Sequence, residues 1–246
     1  MRKKYKYPPL VEVVSEIRFS LESEWDITIP GRLYDLIKKD FSKKKEKVVY
    51  ESSISQKEGE FAHTTRPSPL MWFLSEDDSK IIQVGKNLLS INHLEPYSSW
   101  EDMYLMISEN LKKYKIIAEP KGIDKITLNY INKINIPKKQ IEIGEYFDLT
   151  IKYSNKLSQE HHDFIVGVVF PFKDDASYLK LTFMSTVPDN LETSSFMLIL
   201  DYYHDLKEKI DIKDTKNWYN NAHKNIEHVF EACIKNPLRE VFQEVK

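Results

Sequence analysis

From Leu10 to Leu21 the chain alternates, with Val11, Val13, Ile17, Phe19 and Leu21 on one face and Glu12, Glu16, Arg18 and Ser20 on the other. A period of two is that of a half-buried strand. Pro8-Pro9 fixes an extended start ahead of it. After a Pro30-Gly31 turn, Leu33, Ile37 and Phe41 fall at helical spacing and predict a short helix over Arg32 to Phe41. Val48 to Gln56 reads as a strand. Glu58 to Ser68 is polar, carries Pro67, and is expected to be a loop before Pro69. Leu70 to Leu74, Ile81 to Val84 and Leu88 to Leu94 predict three strands, joined by turns at Asp77-Asp78-Ser79 and Gly85-Lys86-Asn87. Ser98 with Glu101 three residues later reads as a capping box. The helix from Ser99 to about Ile117 then turns Met103, Ile107 and Leu111 inward, with Tyr104 and Leu105 widening the stripe.

The same order follows again. Ile126, Leu128, Tyr130, Asn132, Ile134 and Ile136 share one face of a strand that Pro137 ends. Gly144 to Phe147 predicts a helical turn, Leu149 to Tyr153 a strand, and Ser154 to Asp163 a loop. Phe164 to Phe172, Tyr178 to Val187 and Ser195 to Tyr203 predict a three-strand meander. Lys207 to Asp214 is charged and expected to be irregular. A last helix from Thr215 turns Trp218, Ala222, Ile226, Val229, Phe230 and Cys233 inward, and Asn236-Pro237 breaks it before Leu238 to Val245. The predicted fold class is therefore α+β. Two similar β-α-β(3–4)-α halves, 8–118 and 121–246, form one domain: a continuous antiparallel sheet with two long helices on one face. That topology resembles the duplicated TATA-box-binding-protein-like and helix-grip arrangements, an analogy that carries no function by itself.

Composition narrows the classes. The chain has 246 residues, 36 Lys+Arg against 38 Asp+Glu, and a net charge of −2, so it has no general attraction for nucleic acid or anionic membrane. The runs Lys43-Lys44-Lys45 and Arg2-Lys3-Lys4 read as solvated surface. The single cysteine, Cys233, excludes an intrachain disulfide and lies in an apolar helix pattern, which reads as packing. The start of the sequence does not read as a secretory signal, and no apolar run approaches the ~20 residues of a membrane helix. A soluble, cytoplasmic protein is expected.

Several phrases carry a resemblance. They are Pro-Pro-Leu-Val-Glu-Val-Val-Ser-Glu-Ile-Arg-Phe at 8–19 and Ile-Gln-Val at 82–84. Leu-Ser-Ile-Asn-His-Leu-Glu-Pro-Tyr-Ser-Ser-Trp-Glu follows at 89–101, then Leu-Asn-Tyr-Ile-Asn-Lys-Ile at 128–134 and Phe230-Glu231. Together they resemble an uncharacterised, sporadically distributed prokaryotic family of about this length, over nearly the whole chain. That family usually places Arg two residues before the Tyr-Ile-Asn and Arg after it, where this chain has Leu128 and Lys133. If those arginines grip an anion, this chain has lost much of the grip. The family's scattered occurrence resembles that of defence or mobile-element cargo, and the resemblance implies no activity.

Chemical signatures are sparse. His161-His162-Asp163 offers ligand types, but adjacent side chains of an extended segment point apart, and no second cluster has metal-ligand spacing. His223 and His228 are five apart, not the i, i+4 of a shared helix face, and read as structural or solvent-facing. No Gly-x-Ser-x-Gly, Walker or dinucleotide loop is present, and no cofactor is expected. The candidate binding residues are Glu16, Arg18, Asn92, Tyr97, Trp100, Tyr130 and Asn132. Glu12 and Glu16 with Arg18 suggest ion pairs on a sheet face. Asn132 on an apolar face must be hydrogen-bonded, either by the fold or by a ligand. Tyr97 and Trp100 supply amphipathic surface at a strand-to-helix joint, suited to an interface or to stapling strand to helix.

These observations lead to the expectation of a non-enzymatic binding protein, acting on a protein partner or on itself as a homodimer, with a defence or toxin–antitoxin-like module as its setting. The alternative is a small-ligand module in which Trp72, Tyr130 and Phe183 line a cavity between helices and sheet. Nucleic-acid binding on the open sheet face is disfavoured by the charge balance.

Overall fold

A computed structural model of the chain describes residues 3–20, 25–57, 60–149, 154–158, 163–204 and 215–245, without the side chains of 50–67 and 175. The first half contains β1 (Lys4–Tyr5), β2 (Leu10–Ser20), α1 (Ile29–Ile37), β3 (Lys43–Lys57), β4 (Glu60–Leu74), β5 (Lys80–Gly85), β6 (Leu88–Leu94) and α2 (Trp100–Ala118). The second contains β7 (Gly122–Ile136), α3 (Ile143–Tyr146), β8 (Ile165–Phe172), β9 (Ser177–Thr186), β10 (Ser194–His204), α4 (Thr215–Cys233), α5 (Asn236–Phe242) and β11 (Glu244–Val245). The fold is α+β around a large antiparallel sheet.

That sheet has nine strands in the order β3-β4-β5-β6-β2-β7-β10-β9-β8. The two alternating strands with the longest apolar faces, β2 and β7, pair at its middle. From there the first half extends outward through β6, β5, β4 and β3, and the second through β10, β9 and β8. A separate two-stranded sheet joins β1 to β11, so the two ends of the described chain meet. The alternation of Leu238 to Val245 gave no hint of that pairing.

Strand register sorts the side chains into two faces. Val13, Ile17, Leu89, Ile91, Ile126, Leu128, Leu198 and Leu200 lie on one face and are buried. Onto this face α1, α2, α3 and α4 bring Leu33, Met103, Ile107, Phe147, Tyr219 and Ala222. Tyr114, Tyr202 and Tyr219 are fully enclosed there, and truncating a large buried side chain of this kind typically costs about 3–5 kcal/mol. The opposite face carries Glu12, Glu16, Arg18, Gln83, Ser90, Asn92, Thr127 and Asp201.

Several expectations are corrected. Residues 60–68 are not a loop but the first part of β4, paired along its whole length with β3. Proline is tolerated where its nitrogen has no ladder partner. Around Pro67 and Pro69, β4 pairs with β3 alone among the described residues, because β5 joins it only from Met71 onward. The lysine run at 43–45 opens β3 instead of lying outside it. The first helix begins earlier, at Ile29, with Pro30 in its first turn, where a missing N–H costs nothing. The cap of α2 is Ser99, whose Oγ accepts from the Asp102 amide at 3.0 Å, not Ser98. Leu105 is exposed and adds nothing to the core. The α4 stripe is as expected, and burial pushes the Cys233 thiol up to about 12, so it stays protonated. The expected strand over 150–153, Leu21, His161-His162 and most of the 207–214 segment lie outside the described residues.

Candidate functional site

Three of the stretches that carry the family resemblance meet at one end of the β6–β2–β7 triplet. In register, Val13 faces both His93 and Tyr130, Glu12 faces Leu94 and Ile131, and Leu10 faces Asn132. Between Leu10 and Glu12 the ladder slips, leaving Val11 as an extra residue in β2. A bulge of this kind re-aims the chain at a sheet end. The Val11 carbonyl accepts from the Glu95 amide at 2.9 Å, and the Pro9 carbonyl from the Lys133 amide at 2.9 Å. The start of β2 is thereby tied to the end of β6 on one side and to β7 on the other.

On the helix-covered face the site is aromatic. Trp100 opens α2 and stacks on the His223 imidazole of α4, with centroids 4.4 Å apart and planes 9° from parallel. The Tyr130 hydroxyl meets His223 Nδ1 at 2.7 Å. On the far side of that ring, Nε2 lies 3.4 Å from a Glu227 carboxylate oxygen one turn along α4. If Tyr130 donates, the imidazole carries its proton on Nε2, toward Glu227. Tyr97 fills the joint before α2, its ring 5.2 Å from His93 and 6.5 Å from Tyr130. His93 is buried, and that burial, followed by the Lys80 ammonium, holds its imidazole below the ordinary histidine value. Asn132 donates to the Leu198 carbonyl at 3.0 Å, so its amide is held by the neighbouring strand beside the bulge. Along the same face Ser15 and Tyr219 share a 2.5 Å hydrogen bond that pins α4 to β2.

On the other face, Asn92 anchors a polar network. Its Nδ2 donates to Glu12 at 2.7 Å, while its Oδ1 accepts from Gln83 at 2.8 Å and Ser90 at 3.1 Å. Glu16 and Arg18 lie further along β2, with Arg18 Nε donating to Glu16 at 3.0 Å. Asp201 of β10 is on this face too. Burial raises its carboxyl above the ordinary value, against the pull of Lys125 and Lys180, and Glu16 adds to the rise.

Of the seven residues singled out from sequence, Asn92, Tyr97, Trp100, Tyr130 and Asn132 gather at this end, but Asn92 is on the opposite face from the other four. Glu16 and Arg18 form a separate pair. Trp72 and Phe183 do not join Tyr130 around a shared cavity: Trp72 pairs across from Gln83, which faces Ser90, which faces Glu16. Strand alternation therefore puts Trp72 on the face away from Tyr130 and Phe183, beside Lys47, whose ammonium lies 5.4 Å from its ring. Sequence spacing missed His223, because its partners come from α2 and β7. The one available signal was the α4 stripe, which brings His223 round beside Tyr219 and Ile226.

Where the strands end, the surface opens into a cleft of about 430 Å³. Pro9, Val11, Val241 and Phe242 form its apolar wall, and Glu95 and Lys133 are on its polar side. Lys133 is paired with Asp189, which also accepts from Asn135 at 3.0 Å, and the lysine holds the Asp189 carboxyl below its usual range. Leu128, the other position where the resembling family has arginine, is wholly buried in the core. Among the described residues no group of three His, Cys, Asp or Glu side chains is placed to hold a metal ion, and no helix is long and apolar enough to cross a membrane.

No protein-family model matches the chain, and no curated protein matches it.

Proposed function

We propose that this is a non-enzymatic cytoplasmic binding protein that engages a protein partner through the cleft at the β6–β2–β7 end. The observation that carries the reading is the convergence of the 8–19, 89–101 and 128–134 stretches on that end, with Pro9, Val11, Glu95 and Lys133 lining one cleft. A wall of exposed proline and apolar side chains with a charged rim suits a segment of another chain. The buried Trp100, Tyr130 and His223 behind it set the wall rigidly. The scattered occurrence of the resembling family supports a place in a defence or toxin–antitoxin-like module.

We further propose that the halves 8–118 and 121–246 are copies of one β-α-β(3–4)-α unit in a TATA-box-binding-protein-like single domain. The outward strand order on each side of the β2–β7 pair, and the return of each half through a long helix, support it.

A second reading has one point in its favour. A cleft of about 430 Å³ is within the roughly 300–1,000 Å³ range of small-molecule sites. Native mass spectrometry of the tagged protein from its host's lysate separates the two. The proposal expects a second protein at fixed stoichiometry that Val11→Arg removes. Extra mass of ligand size, lost with the same substitution, favours the small molecule. A complex that Val11→Arg leaves intact refutes the cleft, and a complex with a second copy alone identifies the partner as self.

A further inference from the structure

Beyond the cleft, the two long helices run antiparallel, Trp100 against His223 and Tyr104 against Tyr219. Past that aromatic seam they part into a groove of about 190 Å³. Its floor is Ile107, Leu111 and Tyr219, all buried in the fold, and its rim carries Lys112 and Lys115 of α2 and Lys216 of α4. Among the described residues, none of the three lysines has an acidic side chain within ion-pair distance. Elsewhere lysines find one: Lys38 pairs with Asp35 and Lys133 with Asp189. Glu109, one turn back on α2, is exposed and pairs with none of them. In a chain of net charge −2, three uncompensated ammonium groups around one apolar floor form a local basic rim. The first turn of α4 adds the positive end of its dipole beside Lys216.

We infer that this groove receives an acidic segment of a protein partner, with one large apolar or aromatic side chain on Ile107 and Leu111 and flanking Asp or Glu meeting the three lysines. The occupant's class rests on the protein-partner reading above. The groove's volume is below the roughly 300–1,000 Å³ of small-molecule sites but accommodates a single anchoring side chain. Charge complementarity decides the flanking residues.

The test is retention of the purified protein on an array of short synthetic peptides, each with one Trp, Phe or Leu flanked by Asp and Glu, beside matched peptides flanked by Gln or Lys. The wild type is expected to prefer acidic over Gln-flanked members by about tenfold, a difference that shrinks as salt rises. Lys112→Glu, Lys115→Glu and Lys216→Glu together should abolish that preference and shift it to the Lys-flanked set. All three positions are at the surface, and an unchanged melting temperature verifies the fold. Equal retention on acidic and Gln-flanked members, no retention on any member, or a preference that survives the triple reversal overturns the groove assignment. Val11→Arg should leave the array preference unchanged. Loss of the cleft complex with the preference intact therefore counts against the cleft alone, and the reverse pattern counts against the groove alone.

Discussion

The same three strands, β6, β2 and β7, present two polar clusters back to back, and the difference between them lies in what surrounds each. On the helix-covered side, Tyr130 meets His223 under Trp100, Ser15 meets Tyr219, and Asn132 holds the Leu198 carbonyl, all with little water in reach. On the other side, Glu12, Asn92, Gln83 and Ser90 form an equally complete network, and Glu16 holds Arg18, but the ends of these groups reach solvent. A buried polar group that loses its partner has nothing to replace it, whereas a half-exposed one turns to water. Bonds of similar length should therefore differ severalfold in what their removal costs.

The sharpest way to break the comparison is Trp100→Ala. It removes the ring over His223 and leaves a cavity at the α2–α4 seam, and should destabilise the fold by about 3–5 kcal/mol in denaturant unfolding. A loss under about 1 kcal/mol would mean that the seam does not hold the helices. Next is Tyr130→Phe, which deprives His223 Nδ1 of its partner and should cost about 1–3 kcal/mol. Combined with His223→Ala in a double-mutant cycle, it should be clearly non-additive. On the opposite face Asn92→Ala should cost only about 0.5–1.5 kcal/mol. Arg18→Ala should be smaller still, at about 0–1 kcal/mol, because the pair is exposed and screened. If Asn92→Ala costs as much as Tyr130→Phe, the two faces are not distinct environments.

Acid and base separate the faces by sign. His93 has its folded value lowered, so its contribution is present above about pH 6.5 and is lost as pH falls through the folded value. Asp201 has its folded value raised, so its contribution is present below the ordinary 3.8 and is lost as pH rises through the folded value. In urea midpoints measured against pH, His93→Gln should flatten the slope just below pH 6.5. Asp201→Asn should flatten the slope above 3.8. Either substitution leaving its slope unchanged would remove that residue from the account.

The elements with clear alternation were legible from sequence, because a period of two reports burial directly: β2, β5, β6, β7, β9 and β10 lie within a few residues of where the pattern puts them. The alternation also placed Asn132 on the buried face and Arg18 beside Glu16. What it could not report was pairing between distant segments. Residues 60–68 carry a proline and no apolar rhythm, and they form a strand because β3 lies alongside, not because of their own preference. Trp72 was assigned to a shared cavity because aromatic character was read without its strand parity. His223 was set aside by a test for metal ligands on one helix, while its partners come from β7 and α2. The cleft was invisible for the same reason, since Pro9, Glu95, Lys133 and Val241 become neighbours only once β2 pairs on both sides.

The most direct test of the central claim is hydrogen exchange on the protein with and without the partner recovered from its host. The account predicts added protection at Tyr7–Val11, Glu95–Trp100 and Lys133–Asn135, where the cleft wall is tied together. Protection confined to other strands, with these three segments unchanged, would contradict it.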